Sequence, residues 1–169
     1  LAVKRVQEGT MLPNPFHQDI ITMFPEGYAV ARQALAVIKE LTGVELPADE
    51  AGYLSLHVHA GLSADNVAAS LACARLAARV VHRIEEALDC NFSKDTFKYS
   101  RLISHVHYML LRIERGEKVA IDINDYVAKN FPEASTLAQD ICTFVAREMK
   151  KTVSQEELTL LALHIQRVM

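Results

Sequence analysis

Turn-forming residues are scarce in this sequence, which has six glycines and five prolines in 169 residues, against 22 alanines. A many-stranded sandwich or barrel needs far more turn chemistry, so the composition favours helices. A basic excess is also missing: 18 Lys and Arg face 21 Asp and Glu, for a formal net charge of −3. Such a surface has little with which to neutralise a run of phosphates, which argues against direct nucleic-acid binding by this segment. No apolar run approaches the roughly 18–20 residues that a membrane span requires, and the N-terminus has no apolar core with a cleavage site. The chain reads as soluble and cytoplasmic, with no membrane insertion. Cys73, Cys90 and Cys142 form an odd set without C-x-x-C spacing. Neither a disulfide framework nor a zinc knuckle is indicated, and free thiols, buried or half-buried, are expected. Nor is there a nucleophile elbow, a glycine-rich phosphate loop or a plausible Ser/His/Asp set. What the sequence does hold is seven histidines and an internal repeat.

Sliding the chain against itself by 107 positions brings unlike signals into register without a gap. Arg5 falls on Arg112, Gly9 on Gly116, and Phe24-Pro25-Glu26 on Phe131-Pro132-Glu133. Glu50, Leu54, Leu56 and His57 fall on Glu157, Leu161, Leu163 and His164. The identities are few but involve punctuating residue types in order, which marks a duplication. A unit of about 107 residues is complete over 63–169, whereas 1–62 matches only its later part. About 45 residues of the first unit would then lie upstream of Leu1, and the exposed face of so short a piece must be covered by either the second unit or another chain.

Apolar spacing and breakers give a coarse helix map: 1–8, 17–24, a longer helix after Pro25 closed by Gly43, and 48–60 stopped at Gly61. An Ala-rich helix over 64–88, a polar loop 89–95, and helices 96–115, 122–130, 133–150 and 155–168 complete the second unit. The expected architecture is all-α, with two tandem homologous five-helix bundle modules, the first truncated at its N-terminus. Ser154 with Glu157 reads as a capping box, so capping is the simple explanation of the repeated Glu50 and Glu157. Each precedes its histidine by seven residues, two turns or about 10 Å along one helix face.

His57 and His164 each have leucine at −1 and −3. One such imidazole on an apolar face is ordinarily a core residue, but its recurrence in both units favours a functional role. His105 shares a helix face with Arg112, seven residues on. The pairs His57/His59 and His105/His107 do not suit a metal, because i and i+2 on a helix point about 200° apart. His82 with Glu85 or Glu86 reverses the Glu-x-x-His order of di-iron bundles, so no metal site is expected. His17, His59 and His82 read as surface residues. Neutral imidazole is nevertheless a competent nucleophile toward a phosphoryl group held by another protein, and the product gains about −1.5 to −2 charges.

The strings SRLISHVHYMLLRI, EELTLLALHI and DEAGYLSLHVH, with FPEG in the first unit, resemble the PTS regulation domain. This paired module belongs to bacterial antiterminators of the sucrose and β-glucoside type and to some DNA-binding sugar-operon activators. The resemblance covers nearly the whole chain. It implies phosphoacceptor histidines at His57 in the first module (1–62) and at His105 and His164 in the second (63–169). Arg112, Arg5, Glu50 and Glu157 become supporting residues, while His59 and His107 match no phosphosite. A regulator rather than an enzyme is implied, with no cofactor. It would be a homodimer phosphorylated by the phosphocarrier HPr and by a sugar-specific Enzyme II, and would reach RNA only through an N-terminal domain absent from this chain. A non-switching helical interaction scaffold remains open as an alternative.

Overall fold

The computed structural model describes residues 1–63, 66–94 and 96–169. Among them the chain forms nine helices and no strand, so the all-α expectation holds: α1 (Ala2–Gln7), α2 (His17–Met23), α3 (Pro25–Thr42), α4 (Ala48–Ser63), α5 (Val67–Ala87), α6 (Phe97–Arg115), α7 (Asn124–Asn130), α8 (Pro132–Met149) and α9 (Gln155–Gln166). The expected start of the long helix at Ala64 and the end of the polar loop at Asp95 lie outside the described residues. The helices pack as two compact units, Leu1–Arg75 and Leu76–Met169, and the division falls within α5.

The punctuation does its expected work at most helix ends. Pro25 and Pro132 sit in the first turns of α3 and α8, where a missing N–H is not needed. Thr96 caps α6 by accepting from the Tyr99 N–H at 3.3 Å. Gly43 and Gly116 close α3 and α6 in the left-handed conformation. Gly61 is a correction: α4 runs through it to Ser63, because a glycine ends a helix only where the chain turns left-handed after it, and Gly61 has no positive φ.

In the first unit α3 and α4 approach so closely that a Cβ on Gly27 would lie 2.9 Å from the Ser55 carbonyl oxygen. Ile20, Ala31, Ala51 and Leu56 are buried there. At the equivalent position of the second unit a fully buried alanine, Ala134, is accommodated. In that unit Leu102, Val106, Leu110, Val145 and Ile165 form the deepest layer, each removed from water at 1% exposure or less. The side chains of Arg79 and Arg83 close over the Phe144 ring, 5.0 and 4.3 Å from its centroid.

One position separates the two copies in backbone chemistry. Lys150 closes α8 with φ 54°, where the first unit has Gly43 with φ 70°. A side chain costs about 1 kcal/mol in this conformation. Lys150→Gly is therefore expected to stabilise the protein by about 0.5–1 kcal/mol, read as a rise in the thermal or urea midpoint.

Candidate functional site

The site grows from the way α6 and α9 expose a flank beside their buried stripes. On α6 the buried residues Leu102, Val106, Met109, Leu110 and Ile113 follow helical spacing, and on α9 so do Leu158, Leu161, Ala162 and Ile165. His105 and Arg112 each precede a buried residue of α6, and Glu157 and His164 each precede one of α9. The two helices run antiparallel, so each step forward along α6 meets a step back along α9. His105 thus meets His164, and Arg112 meets Glu157, as two rungs of one ladder separated by two helical turns.

The lower rung is a two-pronged ion pair. Arg112 donates from Nε to Glu157 Oε1 at 2.6 Å and from Nη2 to Oε2 at 2.7 Å. Glu157 is 3% exposed, so its charge is tolerable only because this guanidinium faces it. The bond to Glu157 also raises the pKa of Arg112. Buried Cys142 lies near enough for Glu157 to act on it: burial first, then the Glu157 charge, pushes the thiol up to about 12.

On the upper rung the His105 and His164 rings stack, with centroids 3.5 Å apart and planes at 14°. Both are half-buried. Desolvation, and then the neighbouring Arg112 charge, lowers the pKa of His105. For His164, burial, His105 and Arg112 together push it down to about 4. Two rings in face contact beside a permanent cation favour the neutral form. His164 Nδ1 is shielded from solvent and has no hydrogen-bond partner. Between the rungs lies a cavity of about 220 Å³, lined by His105, Met109, Arg112, Glu157, Leu160, Leu161 and His164.

The first unit repeats the lower rung in a looser form. Arg5 donates from Nη2 to Glu50 Oε1 at 2.5 Å, while its Nε is buried without a partner. The Arg5 side chain is 35% exposed, against 28% for Arg112. His57 is exposed.

Several expectations change. Ser154 does accept from the Glu157 N–H, at 3.4 Å, but the Glu157 carboxylate does not reach back to the cap, because the guanidinium offers two charged donors instead of one amide. Glu50 likewise goes to Arg5. His59 is half-buried against the Phe24 ring at 4.5 Å, and His17 is half-buried with the Tyr28 hydroxyl at 3.4 Å and Asp49 at 3.6 Å, so neither is a plain surface residue. His82 is exposed, beside Glu85 and Glu86. His107, on the opposite side of α6 from His105, is buried in the core. Cys142 is buried and Cys73 half-buried, but Cys90 is exposed, since it lies just beyond the end of α5. Among the described residues no three His, Cys, Asp or Glu side chains converge as metal ligands would.

The pairing of Arg112 with Glu157 was not read from the sequence, although a signal existed. Arg and Glu recur 45 residues apart in both copies, Arg5 with Glu50 and Arg112 with Glu157. Two opposite charges retained together at a fixed separation mark a contact more strongly than either does alone.

Comparison with known proteins places these features in a family. The PRD domain model matches residues 1–61 and 78–168. The "PtsGHI operon antiterminator" of Bacillus subtilis is 28% identical over 169 residues, covering 99% of this chain and 60% of the relative. "Transcription antiterminator LicT" of the same organism is 24% identical over 170 residues, covering 99% and 61%. "Protein GlcT" of Staphylococcus aureus is 24% identical over 166 residues, covering 97% and 59%. The chain thus spans about three-fifths of the length of the curated relatives it matches.

Two expectations follow for stability. A histidine whose folded pKa lies below its ordinary 6.5 takes up its proton more readily when unfolded. The contribution of His164 is therefore complete above pH 6.5 and is lost as pH falls toward 4. For a half-buried ring this amounts to roughly 1–2 kcal/mol, and His164→Gln should flatten the unfolding free energy by that much relative to wild type over the same interval. Glu157→Gln should cost about 2–3 kcal/mol in urea unfolding, because it leaves the Arg112 fork half-satisfied, and Glu50→Gln about half as much.

Proposed function

The chain belongs to the PRD domain family, and on that premise we propose that it is the phosphohistidine-controlled regulatory part of a bacterial transcription antiterminator. It has two modules, 1–62 and 63–169, and works in the cytoplasm as a homodimer. It is a regulator rather than an enzyme. RNA is contacted only by a separate N-terminal domain. HPr phosphorylates His105 or His164 and favours the active dimer, whereas a sugar-specific Enzyme II phosphorylates the first module, at His57 within this chain, and switches the protein off when sugar is absent. The antiterminator names of the relatives support this parent over a DNA-binding activator.

The observation that carries the reading is the stack of His105 and His164 on the wall of a cavity that the Arg112 guanidinium also lines. A nucleophilic imidazole must be neutral, and burial with Arg112 nearby keeps both rings so at cytoplasmic pH. In the transfer, the phosphorus–nitrogen bond of HPr phosphohistidine breaks as a bond forms to a ring nitrogen of the acceptor. The acceptor ring releases a proton and the donor ring regains one, so no other reactant is required. A core-histidine scaffold has no use for two adjacent half-buried imidazoles with lowered basicity.

Incubation with phosphoenolpyruvate, Enzyme I and HPr should place acid-labile phosphate on His105 or His164, and sedimentation should show a greater dimer fraction afterwards. His105→Ala combined with His164→Ala should remove the label donated by HPr. A folded wild-type chain that stays unlabelled would refute HPr as the donor.

A further inference from the structure

We propose that Arg112 is the receptor for a phosphoryl group on His105, and that this group displaces Glu157 from the guanidinium. The proposal rests on the phosphohistidine reading above and names the first consequence of the modification.

Geometry supplies the reach. Side chains on a helix lean toward its N-terminus, so Arg112 leans along α6 toward His105, two turns away. The space between them is the cavity of about 220 Å³; of its other walls, Met109, Leu160 and Leu161 offer a phosphoryl group no donor, Glu157 is itself an anion, and His164 presents at most one neutral ring N–H. Among the residues lining it, Arg112 is the only permanent cation.

Charge then decides the competition. A guanidinium fork satisfies one planar or tetrahedral oxyanion at a time with two parallel bonds. Glu157 brings one negative charge, whereas the phosphoryl group brings about −1.5 to −2 and three acceptor oxygens. Once the fork turns to the phosphoryl group, the Glu157 carboxylate stands buried, unpaired and beside a second anion. It must move toward water or take up a proton. Either response loosens the start of α9, where Ser154 holds the Glu157 N–H by a long 3.4 Å bond. A modification at one rung of the ladder is thereby converted into a change at the other. The Arg5–Glu50 pair gives the first unit the same exchangeable partner.

A thermodynamic cycle on the whole chain tests this, with potassium phosphoramidate as the phosphoryl donor. The phosphorus–nitrogen bond of phosphoramidate breaks, ammonia leaves with the imidazole proton, and phosphohistidine forms without HPr. Failure of HPr as donor is therefore separate from failure of this proposal. In the unmodified chain Glu157→Gln should lower the thermal midpoint by roughly 5–10 °C. After phosphorylation of His105, confirmed by mass spectrometry, the same substitution should cost less than a third of that. In a His105→Ala background treated identically, the full cost should remain. An equal cost in both forms overturns the proposal, as does a His105 that takes no phosphate from phosphoramidate. Should Glu157→Gln fail to fold, wild type labelled with ¹⁵N-arginine provides the second measurement. The Arg112 Nε–H signal, assigned by its loss in Arg112→Lys, should shift on phosphorylation, and an unmoved signal overturns the proposal.

Discussion

The Arg112–Glu157 pair is the constraint on which the second unit's site depends. Burying a carboxylate to 3% exposure is strongly unfavourable unless the charge is met directly, and the two bonds at 2.6 and 2.7 Å meet it with the geometry a guanidinium fork prefers. Because the pair has this one low-energy arrangement, it fixes the register of α6 against α9. A slip of one residue along α6 would leave the buried Glu157 charge facing Leu111 or Ile113. Once that register is set, the two histidines two turns away are brought opposite each other, where their rings stack.

The stack is in turn a statement about charge. Two imidazoles 3.5 Å apart cannot both be protonated without repelling each other, and Arg112 adds a third positive charge nearby. The arrangement maintains neutral, nucleophilic rings at a pH where a solvent-exposed histidine is already partly charged. His107, only two residues from His105, has a different fate because the helical turn aims it into the core. The distinction between the two members of that close pair is set by backbone geometry alone.

Much of this was legible in the sequence, and the parts that were not have physical reasons. The 107-residue repeat, the helical content and the prolines at the starts of α3 and α8 follow from local preferences that tertiary packing leaves in place. His57 and His164 were visible as recurring imidazoles in leucine-flanked strings, and His105 by sharing a helix face with Arg112. Their partners were less so, because capping and ion pairing use the same glutamate and only the fold decides which donor is nearer. Glu157 illustrates this: its backbone N–H donates the capping bond to the Ser154 hydroxyl while its carboxylate accepts from Arg112. Gly61 shows the converse, a local stop signal overridden where the chain stays helical. His59 departs from a surface position because the Phe24 ring, remote in sequence, packs beside it.

Each Arg–Glu pair lies wholly within its own unit, and this has a consequence for how the duplicated chain can vary. The contact is self-contained, so one copy can drift without forcing a compensating change in the other. The divergence between Gly43 and Lys150, and between Gly27 and Ala134, shows that such drift has occurred around a retained pair. The first copy grips with a single bond and a more open arginine, the second with two bonds and a deeper one. Duplication has therefore left two fasteners of one design and unequal tightness on a single chain.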